Sequence, residues 1–352
     1  MKIKKIDYFH IQCKRREPFV IATGSSNVAH NVIVKVLTDE GIGYGNACPN
    51  SVTKETHETI LMAMKIFSNE LVGEDIGDIK EINSKMDSLL EKNPSAKAGL
   101  DIALYDLKGK IEGLPVYKML GKSKDKVLTD VTIGIMSQKD AVEHAVRYKN
   151  EGFKALKIKI GLDKNEDIER VKAVREAVGK DIILRVDANQ GYDVKTAVEV
   201  LKRIEPYKIE QMEQPVKWDD LGGLKEVKMQ SPIPITADEA VKTKEDAYKV
   251  IELGAADKIN IKLMKCGGIT KALEINGIAE KNGIETMIGC MSENRISIAA
   301  GLHFTLSQDN VRYADLDSHF SLINDRTSEG FVFEKGYLVP LEKAGLGVDV
   351  EL

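Results

Sequence analysis

The residues best placed to do chemistry begin with two lysines two positions apart in Ala155-Leu156-Lys157-Ile158-Lys159-Ile160-Gly161. In a strand, Lys157 and Lys159 share one face while Leu156, Ile158 and Ile160 take the other. Carboxylates close three later apolar runs, at Asp187, Glu213 and Asp238, and Lys262 lies within a fourth. From 187 to 213, 238 and 262 the gaps are 26, 25 and 24 residues, the length of one strand-plus-helix unit. Each acid alone is as readily a helix N-cap or loop acid, and each lysine a snorkelling surface side chain. As a set they point to one chemistry. Three carboxylates at successive strand ends, with Asn189 two residues beyond the first and no histidine or cysteine nearby, suit Mg²⁺ rather than Zn²⁺. Crowding like charges there is costly unless a cation holds them. Lys157 would disfavour the charged form of Lys159 by like-charge repulsion, which equips Lys159 as a general base. Lys262, several strands further round, would face the other side of a bound substrate. Two amines flanking one carbon, with Mg²⁺ on the neighbouring carboxylate, form an arrangement for moving a proton α to that carboxylate. The metal stabilises the enediolate while one lysine removes the proton and the other returns it.

Such convergence needs a scaffold that gathers strand ends. From about residue 126, strand-like runs (127–133, 155–160, 182–186, 209–212, 235–237, 258–261, 286–288 and 311–314) alternate with helix-like stretches such as 166–178, 195–204, 244–253 and 269–282. Seven or eight β-α alternations favour a parallel barrel, with polar residues at the C-terminal strand ends where barrel enzymes carry their chemistry. An open doubly wound sheet would ordinarily need a phosphate-cradling glycine turn, which Thr132-Ile133-Gly134-Ile135 does not supply. The first ~120 residues read as an α+β unit. Strands are expected over 2–11, 31–38 and 43–47, with a turn at Asp39-Glu40-Gly41. A helix capped by Thr53 carries Ile60, Met64, Phe67 and Leu71, a second covers 79–91, and a third starts at Asn93-Pro94. Strand-like runs at 330–340 and 347–352 predict that the tail returns to the N-terminal unit. We therefore expect an α+β capping domain over 1–122, a barrel over 123–318 and a returning segment over 319–352.

Composition narrows the partners. The 352 residues are 43% hydrophobic and 30% charged, with a formal net charge of −4, a soluble globular pattern that gives no reason to expect nucleic acid or an anionic membrane. Cys13, Cys48, Cys266 and Cys290 are scattered without C-x-x-C spacing, which is simplest as reduced thiols. The N-terminal ten residues lack an apolar signal-peptide core, and no apolar run approaches a membrane span, so the expectation is a cytoplasmic protein. Cys290 and His303 read as inert packing, Glu293 as a pocket or helix N-terminal acid, and Trp218 as loop or helix-start packing.

Taken together, Lys157-Ile-Lys159, Val186-Asp187-Ala-Asn189, Glu213-Gln214-Pro215, Ala237-Asp238-Glu239 and Asn260-Ile-Lys262 resemble the motif series of the enolase superfamily, muconate-lactonizing-enzyme subgroup. The resemblance covers essentially the whole chain and implies a modified (β/α)₇β TIM-type barrel with an α+β capping domain. It further implies one Mg²⁺ per subunit on Asp187, Glu213 and Asp238, with Asn189 and Glu239 supporting the ligands. Lys159 and Lys262 become the acid/base pair and Lys157 the electrostatic helper. Homo-oligomers are usual in the resembled family.

Ala314-Asp315-Leu316-Asp317, ending the eighth strand, resembles the Asp-x-Asp element with which dipeptide epimerases hold a substrate's α-ammonium; a pair of loop acids is the plainer alternative. Thr132 matches a substrate-contacting position in those enzymes. Their Ala-Glu members carry an arginine in a mobile loop near residue 24, whereas Ile21-Ala22-Thr23-Gly24 has no cation. With Ile21, Thr23 and Gly24 lining that loop, the expected substrate is a dipeptide whose second residue is neutral or apolar. The expected activity is therefore Mg²⁺-dependent dipeptide epimerisation at the second α-carbon. N-acylamino-acid racemisation, o-succinylbenzoate synthesis and muconate cycloisomerisation are alternatives on the same scaffold, and a non-catalytic barrel binding a metal and a small acid is a further one.

Overall fold

The computed structural model describes all 352 residues. Long strands β1 (Lys5–Ile21) and β2 (Gly24–Leu37) pair antiparallel, and β3 (Ile42–Ala47) extends the sheet on the other side of β2. Helices α1 (His57–Glu70), α2 (Ile79–Leu89) and α3 (Pro94–Glu112) follow. Short α4 (Val116–Met119) and β4 (Val127–Leu128) lead into eight parallel strands: β5 (Val131–Ile133), β6 (Ala155–Lys159), β7 (Ile183–Asp187), β8 (Ile209–Glu213), β9 (Ile235–Ala237), β10 (Lys258–Lys262), β11 (Glu285–Gly289) and β12 (Val311–Ala314). The helices between them are α5 (Gln138–Asn150), α6 (Lys164–Val178), α7 (Val194–Ile204), α8 (Leu221–Gln230), α9 (Lys244–Leu253), the short α10 (Leu263–Cys266) with α11 (Ile269–Lys281), and α12 (Arg295–Ser307). The expected modified (β/α)₇β barrel and α+β capping domain are both present. Between β5 and β12, closure rests on single contacts rather than a ladder: Asp130 N–H donates to Ala314 C=O at 3.2 Å, and Leu316 N–H to Thr129 Oγ1 at 2.9 Å.

Three details depart from expectation. The first helix is capped by Thr56, whose hydroxyl accepts from Thr59 N–H while its own backbone N–H donates to the Thr59 hydroxyl, so Thr53 is not its cap. The predicted strand over 127–133 breaks into β4 and β5, and only β5 joins the barrel. In the tail, Leu322–Ile323 pairs with β1, whereas Tyr337–Pro340 pairs with β4 and with Phe331–Glu334. Thr327–Glu329 pairs with Val348–Val350.

Buried helix α3 joins the two regions. Its N-terminal amides at Ser95 and Ala96 donate to the Glu55 carboxylate at 2.9 and 3.2 Å, so a residue outside the helix supplies its cap. Asp101, fully buried on α3, accepts from Ile269 N–H at 2.6 Å and from the Thr270 hydroxyl at 2.6 Å, fixing the start of α11 just after the Lys262 strand. On the other face, α3 lies directly on β3. A Cβ added at Gly45 would stand 1.9 Å from Gly99 C=O, a clash with helix backbone that cannot move alone. Gly45→Ala is therefore expected to lower stability by about 3 kcal/mol or more, read as a shift of the urea midpoint; an unchanged midpoint would show the helix–sheet contact to be looser than described.

Candidate active site

Strand register gathers the candidate residues. Lys159 is paired with Asp187, and Asp187 with Glu213, across three adjacent strands β6, β7 and β8. Lys157 sits two residues deeper on the same face and is 1% exposed. Lys262 ends β10, the sixth strand where β6 is the second, so the two terminal lysines leave the barrel half a circuit apart. Lys262 has room because its register neighbour is Gly289, where an added Cβ would lie 2.8 Å from the lysine Cε.

Lysines and carboxylates interlock in this mouth. Lys159 Nζ lies 2.6 Å from Asp187 Oδ2. Lys157 Nζ reaches Asp315 Oδ2 at 2.7 Å, Glu213 Oε2 at 2.9 Å and Asp187 Oδ2 at 3.2 Å. Lys262 Nζ stands 2.8 Å from Asp238 Oδ2, an ion pair whose angle makes no hydrogen bond. Burial alone would raise Asp187, but Lys159, Lys157 and Lys262 hold it below its ordinary value. Asp238, likewise buried, is held well below its own by Lys262 and Lys265. Glu213 goes the other way: burial and the neighbouring Asp187 push it up to about 8. Lys157 is raised well above the ordinary lysine value, because Asp315, Glu213 and Asp187 outweigh its burial. The charge of Lys157 is thus matched by three carboxylates around it.

The acids fit a divalent cation. Ligand oxygens of Asp187, Glu213 and Asp238 lie within 4.8 Å of one another, and an all-oxygen donor set suits a hard ion. Crowding that lifts Glu213 is the strain such an ion relieves. The surrounding groups aim these ligands. Asn260 Nδ2 donates to Glu213 Oε1 at 2.8 Å, Asn189 N–H to Asp187 Oδ1 at 2.9 Å, and Asn189 Nδ2 to Glu239 Oε1 at 3.2 Å. Gln214 Oε1 accepts from Asp238 N–H at 3.0 Å and Ala240 N–H at 3.1 Å. Asn189, Gln190 and Gln214 take left-handed φ values of 39°, 69° and 34° just past the ligand strands, local strain of the kind stored at working sites.

Above the acids opens a cavity of about 1540 Å³ lined by Lys159, Lys262, Thr132, Asp315, Asp317, Asn189 and Glu239. Ile21, Thr23 and Gly24 line it too, and the loop there is short: Ile21 pairs with Gly24, leaving Ala22 and Thr23 as the two-residue turn of a hairpin tip at the mouth. Asp315 and Asp317 do not act alike. Asp315 is engaged by Lys157, whereas Asp317 Oδ2 accepts from Thr132 N–H at 2.6 Å and has no lysine on it. Burial, then Asp315, pushes Asp317 up to about 6. Cys290 is buried with its thiol raised by burial. His303 accepts from Tyr117 N–H at 3.1 Å inside the core. Glu293 turns back onto Met291 N–H at 2.8 Å.

Sequence reasoning missed three contributors. Lys265 gives Asp238 a second amine and bonds Asn260 C=O at 3.0 Å; its signal was a position one helical turn past Lys262. Asn260 shares the Lys262 strand face, two residues before it, and that alternation was its signal. Trp218, expected as packing, is 45% exposed on the cavity wall with Lys242 Nζ 3.6 Å from its ring centre.

The sequence has close relatives. Residues 5–121 match the mandelate racemase/muconate lactonizing enzyme N-terminal domain and residues 140–351 the enolase C-terminal domain-like family. A hydrophobic dipeptide epimerase of Enterococcus faecalis is 44% identical over 352 residues, covering 99% of both chains. An L-Ala-D/L-Glu epimerase of Clostridium acetobutylicum is 40% identical over 354 residues, again 99% of each. The crystal structure of the Enterococcus faecalis dipeptide epimerase complexed with Mg and L-Leu-L-Tyr superposes with a TM-score of 0.97 at 43% identity, over 99% of both chains. With both of its regions matched and full-length relatives at this identity, the chain belongs to the mandelate racemase/muconate lactonizing enzyme family of the enolase superfamily.

Proposed function

We propose that this protein is a Mg²⁺-dependent dipeptide epimerase, an isomerase that inverts the α-carbon of the second residue by 1,1-proton transfer. One observation carries the reading: Lys159 and Lys262 leave the barrel half a circuit apart above three carboxylates, with a lysine-free Asp317 on the same cavity. Asp187, Glu213 and Asp238 would hold the ion, with one ion per chain. When bound, it neutralises those acids and stabilises the negative charge that builds on the substrate carboxylate. Lys159 takes the α-proton from one face and Lys262 delivers one to the other; the reverse direction exchanges their parts. Lys157 pins Asp315 and Glu213, and Asp317, seated on Thr132 N–H, receives the α-ammonium of the first residue.

Ile21 and Phe19 at the hairpin, together with Trp218, present apolar surface to the cavity and support a neutral or apolar second residue. So does the 44% identity to a relative named for hydrophobic dipeptides. Proton NMR in D₂O across a dipeptide set tests the proposal. The α-proton of the second residue should exchange and that of the first should not, with the exchange stopped by EDTA and restored by Mg²⁺. No exchange from any dipeptide with Mg²⁺ present would leave only a binding barrel. If acidic second residues were turned over best, the apolar preference would fall, and Arg15, which lines the same cavity, would be their partner.

A further inference from the structure

Three of the six histidines in the chain meet in the N-terminal region, each from a different element. His10 lies on β1 and His30 on β2, where the pairs His10↔Val32 and Gln12↔His30 make them diagonal neighbours on one face. His57 is the first residue of α1. His10 Nε2 and His30 Nδ1 are 2.9 Å apart with their rings 7° from parallel. The His57 ring lies over both, 4.2 and 4.8 Å away between ring centres. One nitrogen from each ring falls within 4.8 Å of the others. Glu58 Oε1 adds a carboxylate 3.0 Å from His57 Nε2.

We propose that His10, His30 and His57, with Glu58 as the available fourth ligand, form a second metal site that takes a borderline transition ion such as Zn²⁺ or Co²⁺. The donor chemistry separates it from the oxygen-only triad: imidazole selects Zn²⁺, Co²⁺, Ni²⁺ or Cu²⁺ and carboxylates alone select Mg²⁺. Spacing agrees. Metal–nitrogen bonds of about 2.0–2.1 Å in a tetrahedron place ligand nitrogens roughly 3.3 Å apart, close to the contact already made by His10 and His30. A nitrogen-to-nitrogen hydrogen bond also requires a free lone pair on one ring. Binding needs that bond to break and the donating ring to move its proton to its other nitrogen, while His57 rotates out of the stack. No proton leaves the protein. His30 and His57 border the large cavity, so an ion can reach them from solvent. Bound there, it would tie the β1–β2 hairpin to the start of α1.

The test uses the full-length chain without a polyhistidine tag, in excess Mg²⁺ so that the oxygen triad is occupied. Zn²⁺ is followed by equilibrium dialysis and Co²⁺ by visible absorption. We expect one Zn²⁺ per chain, an intense tetrahedral Co²⁺ spectrum, and a melting temperature raised by Zn²⁺. His10→Gln and His57→Gln should each weaken binding at least tenfold and lose the Zn²⁺-dependent rise while melting normally without added ion. His30→Gln serves if either variant fails to fold. Equal Zn²⁺ binding by wild type and the His10→Gln/His57→Gln double variant, or weak Co²⁺ bands typical of oxygen donors, would overturn the proposal. The readout is metal binding, so it stands or falls independently of epimerase turnover.

Discussion

Lys159→Ala and Lys262→Ala should each abolish epimerisation, a loss of at least about 10²–10⁴-fold in kcat/KM, while leaving the chain folded. The fold should survive because neither deletion strands a buried carboxylate. Asp187 keeps Lys157 at 3.2 Å when Lys159 is removed, and Asp238 keeps Lys265 when Lys262 is removed. Loss in both directions must be equal, since an enzyme cannot move the equilibrium between epimers. Isotope exchange separates the two amines. With only one base left, a substrate of the matching configuration can still lose its α-proton and regain deuterium on the same face. Each variant should therefore wash deuterium into one epimer without inverting it, and the two variants should choose opposite epimers. If both variants, folded and loaded with Mg²⁺, lost exchange from both epimers, the lysines would be charge ligands for a bound acid instead of bases.

Legibility from sequence followed the reach of each signal. Strand alternation put Lys157 and Lys159 on one face and β-α spacing put Asp187, Glu213 and Asp238 at successive strand ends. Both patterns are local and periodic, so they survive folding unchanged. The first helix cap was not legible for a simple reason: Thr53, Thr56 and Thr59 repeat every three residues. Either of the first two could start a capping pair; in the fold Thr53 is engaged by Asn50 and Glu55 sits under α3, which leaves Thr56 as the cap. The hairpin tip at Ile21–Gly24 looked like a loop because Ser25, Ser26 and Asn27 have weak strand preference; its pairing is imposed by the long register between β1 and β2. Asp315 and Asp317, two residues apart, carry no sequence mark that tells one from the other. Their difference comes from Lys157, which approaches from a strand more than 150 residues earlier and reaches only Asp315. Lys265 was hidden likewise, since a lysine on a short helix carries no mark of the carboxylate at the end of the neighbouring strand that it serves.

That asymmetry sets the last expectation. Asp317→Asn should lower kcat/KM for free dipeptides by about 30-fold to a few thousand-fold, the roughly 2–5 kcal/mol of a buried charge pair that has lost one partner. It should scarcely change the turnover of an N-acetylated dipeptide, which has no ammonium to pair. The pH dependence follows from the position of the carboxylate. Burial and Asp315 lift Asp317 to about 6, so the free enzyme carries the charge above that pH and loses it below. With Mg²⁺ saturating, kcat/KM for free dipeptides should fall about tenfold per unit as pH drops beneath 6. The Asn variant should show no inflection there, because it has nothing to titrate. Asp315→Asn should behave differently, because it removes a carboxylate 2.7 Å from the buried Lys157 ammonium and so disturbs Glu213 and Asp187 as well. Its loss should extend to the N-acetylated substrate and should include weaker Mg²⁺ binding. Equal losses for free and acetylated dipeptides in the Asp317 variant would remove the ammonium from that position, and with it the reason for preferring a dipeptide over the other acids this barrel could hold.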